Sequence, residues 1–540
     1  MVINAMKKGA FIKIISSISA TFMLLGAFNI AASAAEIDES VAAEEIAVRE
    51  ISADSESELP SSYNSVELGY VTTVKNQQYN DCWAYSGLAM LETKLLRSGY
   101  QNVDMYEPHL NLWAMTRSNG KGWIRNFTDD GFATIAPGYL TSWQGGVLLS
   151  DAENIDFAGM TGDMAATNLA KFGVTSLRYL NNESKEIIKQ SIMDNGGVVT
   201  GFGYSSSFWN GSSSYYMPQS YDGGYVGHMI EIVGWDDNYS KENFLYEPEN
   251  NGAWFVKNSW GSNSSSLDGF FWMSYENKFI FSDKYKPSYT INSFMEINDD
   301  VKLIQNEIYG ATYEFDYIDQ SEVTYLNRFD FDNDHPFIDK VMFKTECKGA
   351  DYTIYFVPEE NGKPANDPSE WIELYSDKAE FSGYICADID DFELNSEKGS
   401  IAIKIDSSGI NKNATIGVGE WLVTSGTSNY RFINETEHGQ SYIYKDGSYQ
   451  DILEWYKENE DDDLGGTLVI KAITTNDPEV LMGDVNLDGV VDITDATKVQ
   501  QYVAELIELG TKEFKAADMN GDGTIDITDA TEIQRAIALL

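Results

Sequence analysis

Cys82 has the surroundings of a reactive thiol. It lies within residues 77–84, QQYNDCWA, where a polar loop gives way to a predicted helix. A helix N-terminus stabilises a thiolate through its dipole and its unpaired N–H groups, and the thiolate is the nucleophilic form. A lone cysteine is more often a buried structural residue. Here Asp81 is a plausible N-cap, and the preceding glutamine and asparagine side chains can supply hydrogen-bond donors, so we interpret Cys82 as a nucleophile.

A cysteine nucleophile needs a base, and two histidines precede the β-rich part of the chain. His228 lies in a strand-like run, residues 227–235, GHMIEIVGW, which would hold an imidazole firmly. His109 follows a proline in an apparent loop, and a structural role is the default for either histidine. The segment 256–261, VKNSWG, adds Asn258, an amide that can orient an imidazole, and Trp260, a large aromatic side chain that can exclude water. This third element favours His228.

Taken in order along the chain, these three segments resemble the motifs of the papain superfamily of cysteine peptidases. The similarity covers roughly Leu59 to Tyr275. The resemblance implies that the cysteine attacks the peptide carbonyl, the histidine shuttles the proton, the asparagine orients the histidine and the tryptophan shields their contact. It also implies an oxyanion donor. The site residues expected from the family are Cys82, His228, Asn258, Gln77 and Trp260.

The chain departs from the papain pattern in three places. The loop between glutamine and cysteine is one residue shorter than in papain itself, which leaves Gln77 and Gln78 as alternative oxyanion donors. The family's disulfide cysteines are absent. Asp81 places a carboxylate beside the nucleophile, where its charge would oppose thiolate formation.

The C-terminus contains an internal repeat of Asp-rich loops, residues 484–495 and 518–529, shifted by 34 positions. Each copy has oxygen ligands at loop positions 1, 3, 5, 9 and 12, glycine at 6 and a carbonyl at 7, which is the pattern of an EF-hand-type calcium loop. Two complete copies at a fixed shift argue against a chance Asp-rich turn. We therefore predict two calcium ions, held by Asp484, Asn486, Asp488, Val490, Asp492 and Asp495, and by Asp518, Asn520, Asp522, Thr524, Asp526 and Asp529.

This duplicated loop–helix pattern resembles the dockerin modules of cellulosome-type complexes, over about Gly483 to Leu540. The resemblance implies a cohesin domain on a scaffold protein as the partner. Ile493-Thr494 and Ile527-Thr528 occupy the places that face a cohesin in dockerins. Apolar residues at helical spacing are instead expected in the module's core: Val499, Val503, Leu506, Ile533, Ile537 and Leu540.

The elements that carry these motifs predict a multidomain chain. Residues 59–287 are expected to form the α+β papain-like peptidase domain, with Leu88, Leu91 and Leu95 on one helix face. Residues 288–477 consist of short β-forming runs separated by turn residues, which predicts a β-sandwich-like domain, and residues 478–540 form a small all-α dockerin. The β-rich region has the texture of a clostridial-type lectin-like domain or of a structural spacer. Cys347 and Cys386 both lie in it, and their pairing stays open.

The N-terminus has the features of an export signal. Three lysines precede an apolar run that ends in Ala32-Ser33-Ala34, so residues 1–34 are predicted to be a signal peptide. The alternative is a membrane anchor, but polar residues interrupt a run that is already short for a bilayer span. Residues 35–58 are acidic and are interpreted as a linker or short pro-segment.

The charge balance excludes some partners. The 85 acidic and 37 basic residues give a net charge of −48, which argues against binding nucleic acid or an anionic membrane. We expect no membrane span after signal cleavage and no cofactor for catalysis. The predicted function is that of a secreted, extracellular cysteine endopeptidase that acts on protein or peptide substrates. Its dockerin is expected to attach it to a multi-protein complex. Through the middle domain, carbohydrate or cell wall is expected as a further partner. The alternatives are a catalytically silent binding protein of the same fold and a thiol enzyme that transfers acyl groups to amines.

Overall fold

The computed structural model describes residues 59–118, 122–152, 162, 169–211, 213–316, 320–419, 432–433, 436–459, 466–476, 478–504 and 506–539. The predicted signal peptide and the acidic segment 35–58 lie outside these residues. The chain divides into a compact unit Glu58–Pro478 and a second unit that contains Glu479–Leu540. Among the described residues, the helices are all too short or too polar to cross a bilayer.

The first part of the larger unit is mixed α and β, as the sequence predicts. Its longest helix, Cys82–Arg97, turns Leu88, Leu91 and Leu95 into the core, where all three are fully buried. The other helices, including short 3-10 turns, are Glu107–Trp113, Ile135–Thr141, Leu149–Ala152, Lys185–Asn195, Ser206–Phe208, Lys241–Asn243, Ser262–Ser264 and Asp283–Tyr285.

The strands of this part bring the catalytic candidates together. Val226–Asp236, which carries His228, pairs antiparallel with Val198–Tyr204 on one side and with Ala253–Lys257 on the other. The latter strand ends one residue before Asn258. The remaining strands are Ser62–Asn64, Gly122–Trp123, Phe172–Tyr179, Trp209–Asn210, Ser214–Tyr215, Phe270–Ser274 and Tyr289–Glu296.

The region from residue 301 is a β-sandwich, as predicted, with two main sheets and a separate three-stranded sheet formed by Ala311–Asp316, Thr415–Gly419 and Thr467–Leu468. A single apolar core fills the space between the sheets, with Tyr325, Ile354 and Ile403 from one sheet and Val341 and Ile470 from the other. Its strands are Val301–Gln305, Ala311–Asp316, Glu322–Asp330, Phe337–Thr345, Asp351–Glu360, Lys363–Pro364, Ile372–Lys378, Gly383–Glu393, Lys398–Asp406, Thr415–Gly419, Phe432–Ile433, Ser441–Lys445, Ser448–Asp451, Thr467–Leu468 and Ile470–Thr475. Its helical segments are Pro368–Glu370, Ser408–Ile410 and Ile452–Asn459.

The two parts of the larger unit share one sheet, which has 13 strands in the described part of the chain. Phe172–Tyr179 pairs with Tyr289–Glu296 along most of its length, so the strand that follows residue 287 belongs to the peptidase sheet. The other edge of Phe172–Tyr179 pairs with Gly383–Glu393 of the sandwich. A fully buried ion pair, Lys471 Nζ to Glu307 Oε1 at 2.6 Å, lies near this junction, and Lys471 also donates to the peptidase residue Ser142 at 2.7 Å.

All three cysteines of the chain have free thiols. Cys347 is buried, and its sulfur lies 3.3 Å from the hydroxyl of Thr415. Cys386 pairs across the strands with Met342. The possible Cys347–Cys386 disulfide is therefore absent.

The smaller unit contains the helices Ile493–Val503, Thr511–Ala517 and Ile527–Leu539. The sequence predicts a helix after each calcium loop, but the short helix before the second loop was not foreseen. Val499 and Ile533 are fully buried in the core, as expected, and Ile537 packs against it. The expectation for Val503 and Leu506 was wrong: these side chains are 41% and 73% exposed, because they lie where the first helix ends and its apolar face has left the core. Leu540 lies outside the described residues.

Candidate active site

Cys82 is the first residue of its helix, as predicted, and Asp81 occupies the N-cap position. The Asp81 side chain makes no capping hydrogen bond, because its carboxylate instead accepts from the Tyr79 amide and from Asn111, both at 3.4 Å. The Cys82 sulfur accepts a hydrogen bond from the Met229 amide at 3.4 Å. The thiol therefore lies against the residue that follows His228, and it keeps partial exposure.

His228 and Asn258 are in direct contact. His228 Nε2 lies 2.8 Å from Asn258 Oδ1, which also accepts the Ser259 amide at 2.9 Å. An amide oxygen can only accept, so Nε2 carries the proton in this contact and Nδ1 is left as the basic nitrogen. Both side chains are 6% exposed. The pair is therefore fixed in orientation and largely excluded from water.

Aromatic rings enclose the imidazole. The Trp260 ring stacks on His228 with the centroids 4.6 Å apart and an angle of 21° between the planes. Phe202 and Tyr204 meet the imidazole edge-on at 5.7 Å and 6.4 Å. The predicted position of Trp260 beside the histidine is therefore present, while the contribution of Phe202 and Tyr204 was not foreseen from the sequence. Both lie on the strand Val198–Tyr204, which pairs with the strand of His228 so that Phe202 is directly opposite His228.

The two candidate oxyanion glutamines have different surroundings. Gln77 is held beside Asn258 by two hydrogen bonds to Ser259. The Gln77 backbone N–H donates to the Ser259 carbonyl at 2.7 Å, and the side-chain Oε1 of Gln77 accepts from the Ser259 hydroxyl at 2.6 Å. Its Nε2 donates to the Tyr79 carbonyl at 2.7 Å, which uses one of two N–H groups. Gln78 is exposed and donates to the Asn76 carbonyl. The geometry favours Gln77 as the glutamine nearer the site.

Burial dominates the electrostatics of the thiol and the imidazole. It raises the pKa of Cys82 to about 11, a rise that the Met229 amide opposes and the Asp81 carboxylate reinforces. Burial also lowers the pKa of His228 to about 4, against the opposing effect of its Asn258 hydrogen bond. The helix N-terminus was expected to favour the thiolate, whereas the protein packed around the two groups disfavours the charged form of each of them. The effect foreseen for Asp81 has the predicted sign.

His109 has different surroundings from those of His228. It lies in the helix Glu107–Trp113 instead of the predicted loop, and it is fully buried, with Nδ1 2.7 Å from the Tyr139 hydroxyl. A proline at the start of a helix is compatible with this, because the first turn needs no N–H donor there. Its surroundings are those of a structural histidine.

A network of buried charges lies behind the catalytic candidates, and it was missed from the sequence. Glu92, on the helix of Cys82, pairs with Lys75 at 2.7 Å and with Lys257 at 3.6 Å. Lys257 precedes Asn258 and also reaches Glu231, three residues after His228, at 3.8 Å. Glu92, Glu231 and Lys257 are all at most 4% exposed. The network thus connects the three elements that carry the cysteine, the histidine and the asparagine.

Each C-terminal loop folds around its own oxygen atoms. In the first loop, Asp484 Oδ1 and Asn486 Oδ1 both accept from the Asp488 amide, at 3.1 Å and 2.9 Å. In the second, Asp518 and Asn520 meet the Asp522 amide at the same two distances. The oxygens of loop positions 1 and 3 therefore converge on one point in both copies.

The last ligand position of each loop is a buried carboxylate. Asp495 and Asp529 are fully buried, and each accepts two backbone amides of its own loop. In the described residues, three or more His, Cys, Asp or Glu side chains do not gather as a metal site of their own. A calcium site here would rely on the mixed set of carboxylate, amide and carbonyl oxygens, and an all-oxygen set suits calcium.

Three family models match the chain in the predicted order. The papain family cysteine protease model matches residues 59–290, the lectin like domain model residues 303–474, and the dockerin type I domain model residues 482–538. The chain belongs to the papain family of cysteine proteases, with a lectin-like domain and a dockerin domain after the peptidase.

Among solved structures, the chain is similar to the clostridial cysteine protease Cwp84. The structure of a Cwp84 variant after propeptide cleavage is 32% identical, with a TM-score of 0.67, over 77% of this chain and all of that one. The cysteine protease and lectin-like domains of Cwp84, described as a surface layer associated protein of Clostridium difficile, match at the same identity and TM-score, over 77% of this chain and 89% of that one.

Among curated proteins, the chain is similar to procathepsin L of Felis catus. The two are 27% identical over 220 residues, which are 40% of this chain and 61% of procathepsin L. Cathepsin K of Mus musculus is 25% identical over 209 residues, 38% of this chain and 57% of that protein. The chain thus spans about three fifths of the length of these relatives. Together with Cwp84, they support cysteine-type peptidase activity.

Proposed function

We propose that the chain is an exported cysteine endopeptidase that hydrolyses peptide bonds with Cys82, His228 and Asn258. The observation that carries this proposal is that the Cys82 sulfur accepts a hydrogen bond from the amide of Met229, the residue after His228. His228 itself is in contact with Asn258 and is covered by the Trp260 ring. A binding protein of the same fold has no need for such a set.

The geometry supports the following course. The Cys82 sulfur bonds to the substrate carbonyl carbon as its proton passes to His228 Nδ1, the nitrogen that Asn258 leaves free. The carbonyl oxygen takes up the negative charge and accepts hydrogen bonds from the Cys82 backbone N–H and from a side-chain N–H of Gln77. The imidazole then gives its proton to the leaving amine, and the C–N bond breaks. Water attacks the acyl-enzyme with His228 as base and releases the acid and the thiol.

Burial raises the pKa of the thiol and lowers that of the imidazole, so each group by itself favours its neutral form. Proton transfer from Cys82 to His228 creates both charges together, and their mutual attraction offsets part of this cost of burial. Trp260 covers the imidazole and keeps bulk water from competing for its proton.

The test is cleavage of a mixed peptide library by the mature protein, with and without a thiol-alkylating reagent. We expect cleavage that alkylation abolishes, and a loss of about a thousandfold or more in Cys82→Ala and His228→Ala. Asn258→Ala is expected to be milder, since an orienting group contributes less than the proton shuttle. Cys386→Ser and His438→Ala are matched controls, because they alter a second partly exposed cysteine and an exposed histidine outside the peptidase domain.

Each alternative has its own outcome in this experiment. A wild-type protein that cleaves no library member favours the silent binding protein. Products joined to an added amine favour acyl transfer over hydrolysis. A harmless His228→Ala would remove His228 as the base.

We further propose that the dockerin binds two calcium ions and docks on a cohesin domain of a scaffold protein outside the cell. The two loops would hold the ions through the ligands named above. The positive charge of calcium would offset the repulsion among their clustered oxygens and so allow the loops to fold. Ile493 and Ile527, at the predicted docking places, are 58% and 57% exposed, which supports an interface on this side of the module. Titration of cohesins with and without a chelator tests this, and binding that survives chelation would contradict it.

The third part of the proposal is attachment to carbohydrate or cell wall through the middle domain. The support is the match of residues 303–474 to a lectin-like domain. The alternative, a structural spacer, predicts no affinity for glycans.

A further inference from the structure

One face of the second sheet of the sandwich carries aromatic rings instead of packing into the main core. The sheet contains the neighbouring strands Asp351–Glu360, Lys398–Asp406, Glu322–Asp330 and Ser441–Lys445. Side chains alternate between its two faces. Ile354, Ile403 and Tyr325 point into the core, so the residues directly before and after each of them in its strand point to the outer face.

Register brings polar and aromatic side chains into adjacent positions on this outer face. Thr324 is opposite Lys404 on one side and opposite Tyr444 on the other. Tyr355 is opposite Ala402, two residues from Lys404, and so occupies the next row of the same face. Thr324 is a small residue between these larger neighbours and lines the space above the sheet, whereas Ala402 is fully buried beneath the aromatic rings.

Trp371, which follows the turn Pro368–Glu370, lies over this face and completes an aromatic cluster. Its ring is 5.6 Å from that of Tyr355 and 5.0 Å from that of Tyr444, both in edge-to-face arrangements. The Tyr449 ring lies nearly parallel to it at 6.3 Å. All four rings are half-buried. A tryptophan and three tyrosines are thus gathered on the surface, with part of each ring left accessible.

Hydrogen bonds to the loop before Trp371 hold three of these rings in place. The Trp371 indole N–H donates to the Ala365 carbonyl at 2.9 Å, and the Tyr449 hydroxyl donates to the same carbonyl at 2.7 Å. The Tyr444 hydroxyl donates to the Asn366 carbonyl at 3.1 Å. Because their polar groups are occupied, these rings are preorganised and offer a ligand mainly their apolar surface.

A cavity of about 400 Å³ opens beside the cluster. It is lined by Tyr355, Trp371 and Tyr444 on its aromatic side and by Thr324, Lys404 and Glu322 on its polar side. Lys404 Nζ and Glu322 Oε2 form an ion pair at 2.9 Å, and their side chains are 38% and 56% exposed. The cavity therefore joins an apolar wall to an accessible hydrogen-bond donor and acceptor.

We propose that this cavity is a glycan-binding site and that its ligand is an uncharged oligosaccharide. A sugar ring has an apolar C–H face, which packs on an aromatic ring, and a rim of hydroxyls, which both donate and accept. The Lys404 ammonium can donate hydrogen bonds to these hydroxyls, and the Glu322 carboxylate can accept hydrogen bonds from them. At about 400 Å³ the cavity has the size of a small-molecule site and suits about two sugar rings.

The charges select against acidic polymers. The cavity is lined by two lysines, Lys404 and Lys445, and by two carboxylates, Glu322 and Asp446, and the chain as a whole carries −48, so a polyanionic wall polymer would be repelled. An aromatic cleft is also compatible with a proline-rich peptide, but such ligands gain little from a paired ammonium and carboxylate. The inference rests on the proposed attachment function of the middle domain, and it assigns that function to particular side chains.

The experiment is isothermal titration of the full chain, with Cys82→Ala to prevent self-digestion, against cellotetraose, xylotetraose and chitotetraose. Oligogalacturonate serves as the anionic probe and a proline-rich peptide as the competing class of ligand. The variants are Trp371→Ala, Tyr444→Leu and Lys404→Gln, each checked for an unchanged melting transition. Lys398→Gln is the control for Lys404→Gln, because Lys398 is on the same strand and pairs with Asp330 at 3.2 Å but does not line the cavity.

We expect at least one uncharged oligosaccharide to bind, with affinity reduced at least tenfold by Trp371→Ala or Tyr444→Leu, reduced severalfold by Lys404→Gln and unchanged by Lys398→Gln. If no glycan binds, the attachment function itself fails. If a glycan binds equally well to all three cavity variants, attachment stands and this site is wrong. Binding of only the peptide or only the anionic probe would overturn the assignment of the ligand.

Discussion

Glu231 gives the sharpest test of the electrostatics behind the active site. Its side chain is almost completely buried, and within the described part of the chain neither carboxylate oxygen accepts a hydrogen bond of good geometry. Lys257, its cationic neighbour at 3.8 Å, also serves Glu92. Burial accordingly raises the pKa of Glu231 from 4.5 to about 7, against the opposing attraction of Lys257 and of the nearby Thr93 hydroxyl.

This pKa shift fixes the sign and size of a stability effect. The folded protein holds the Glu231 proton more tightly than the unfolded chain does, so the contribution to stability is fully present below about pH 4.5 and is lost as the pH rises through about 7. Each tenfold change in proton affinity corresponds to about 1.4 kcal/mol, which gives a loss of about 3 kcal/mol across this window. Glu231→Gln has no proton to lose. Relative to the parent, it should therefore gain about 2 to 3 kcal/mol between about pH 5 and about pH 8.

The assay is urea denaturation at about pH 5 and about pH 8, with Cys82→Ala as the parent to prevent self-digestion. Comparing the two pH values removes any constant cost of the substitution, for example an altered contact with Lys257. Glu242→Gln is the matched control, since this glutamate is exposed. If the free energy of unfolding of Glu231→Gln follows the same pH profile as that of its parent, the reasoning from burial is refuted.

Three further predictions concern the ring cover, the junction and the loops. In Trp260→Ala, loss of the stacked ring should let water reach the imidazole and raise the pKa of His228 from about 4 towards its ordinary value, which NMR titration would measure; an unchanged pKa would contradict the role of Trp260. Lys471→Met should lower the free energy of unfolding by about 3 to 5 kcal/mol, because it leaves Glu307 buried without its cation, and adding Glu307→Gln should recover much of the loss. Removal of calcium from the full chain should lower its helical circular dichroism, and Asp495→Asn with Asp529→Asn should reproduce that loss in the presence of calcium; identical spectra with and without chelator would contradict it.

The contacts of the candidate active site were largely predictable, because its residues occur in short segments with strong local signals. Cys82 begins a helix and His228 lies in a strand, both as the sequence predicts, and Asn258 follows immediately after a strand. The choice between His228 and His109 depended on the segment of Asn258, and the contact of His228 with Asn258 agrees with it. Local sequence could not give the burial of the thiol, which raises its pKa and so acts against the expected effect of the helix N-terminus.

Features that depend on distant partners were not predictable. Glu92, Glu231 and Lys257 have the composition of surface residues, and only the fold brings them together in the interior. The edge pairing of Gly383–Glu393 with Phe172–Tyr179 is equally hidden, since the β-forming character of a strand does not identify its neighbour. In the C-terminal module, helical spacing correctly assigned Val499 to the core but failed for Leu506, because the helix ends before that residue.

The sheet shared by the peptidase and the sandwich limits how this protein can be divided. A chain cut at residue 287 would lose both neighbours of Phe172–Tyr179 and leave that strand unpaired on both sides, open to association with other chains. Recombinant work should therefore keep residues 58–478 as one piece. The same reasoning applies to gene rearrangement: the catalytic part can be exchanged between proteins only together with its sandwich, whereas the C-terminal module can be gained or lost by itself.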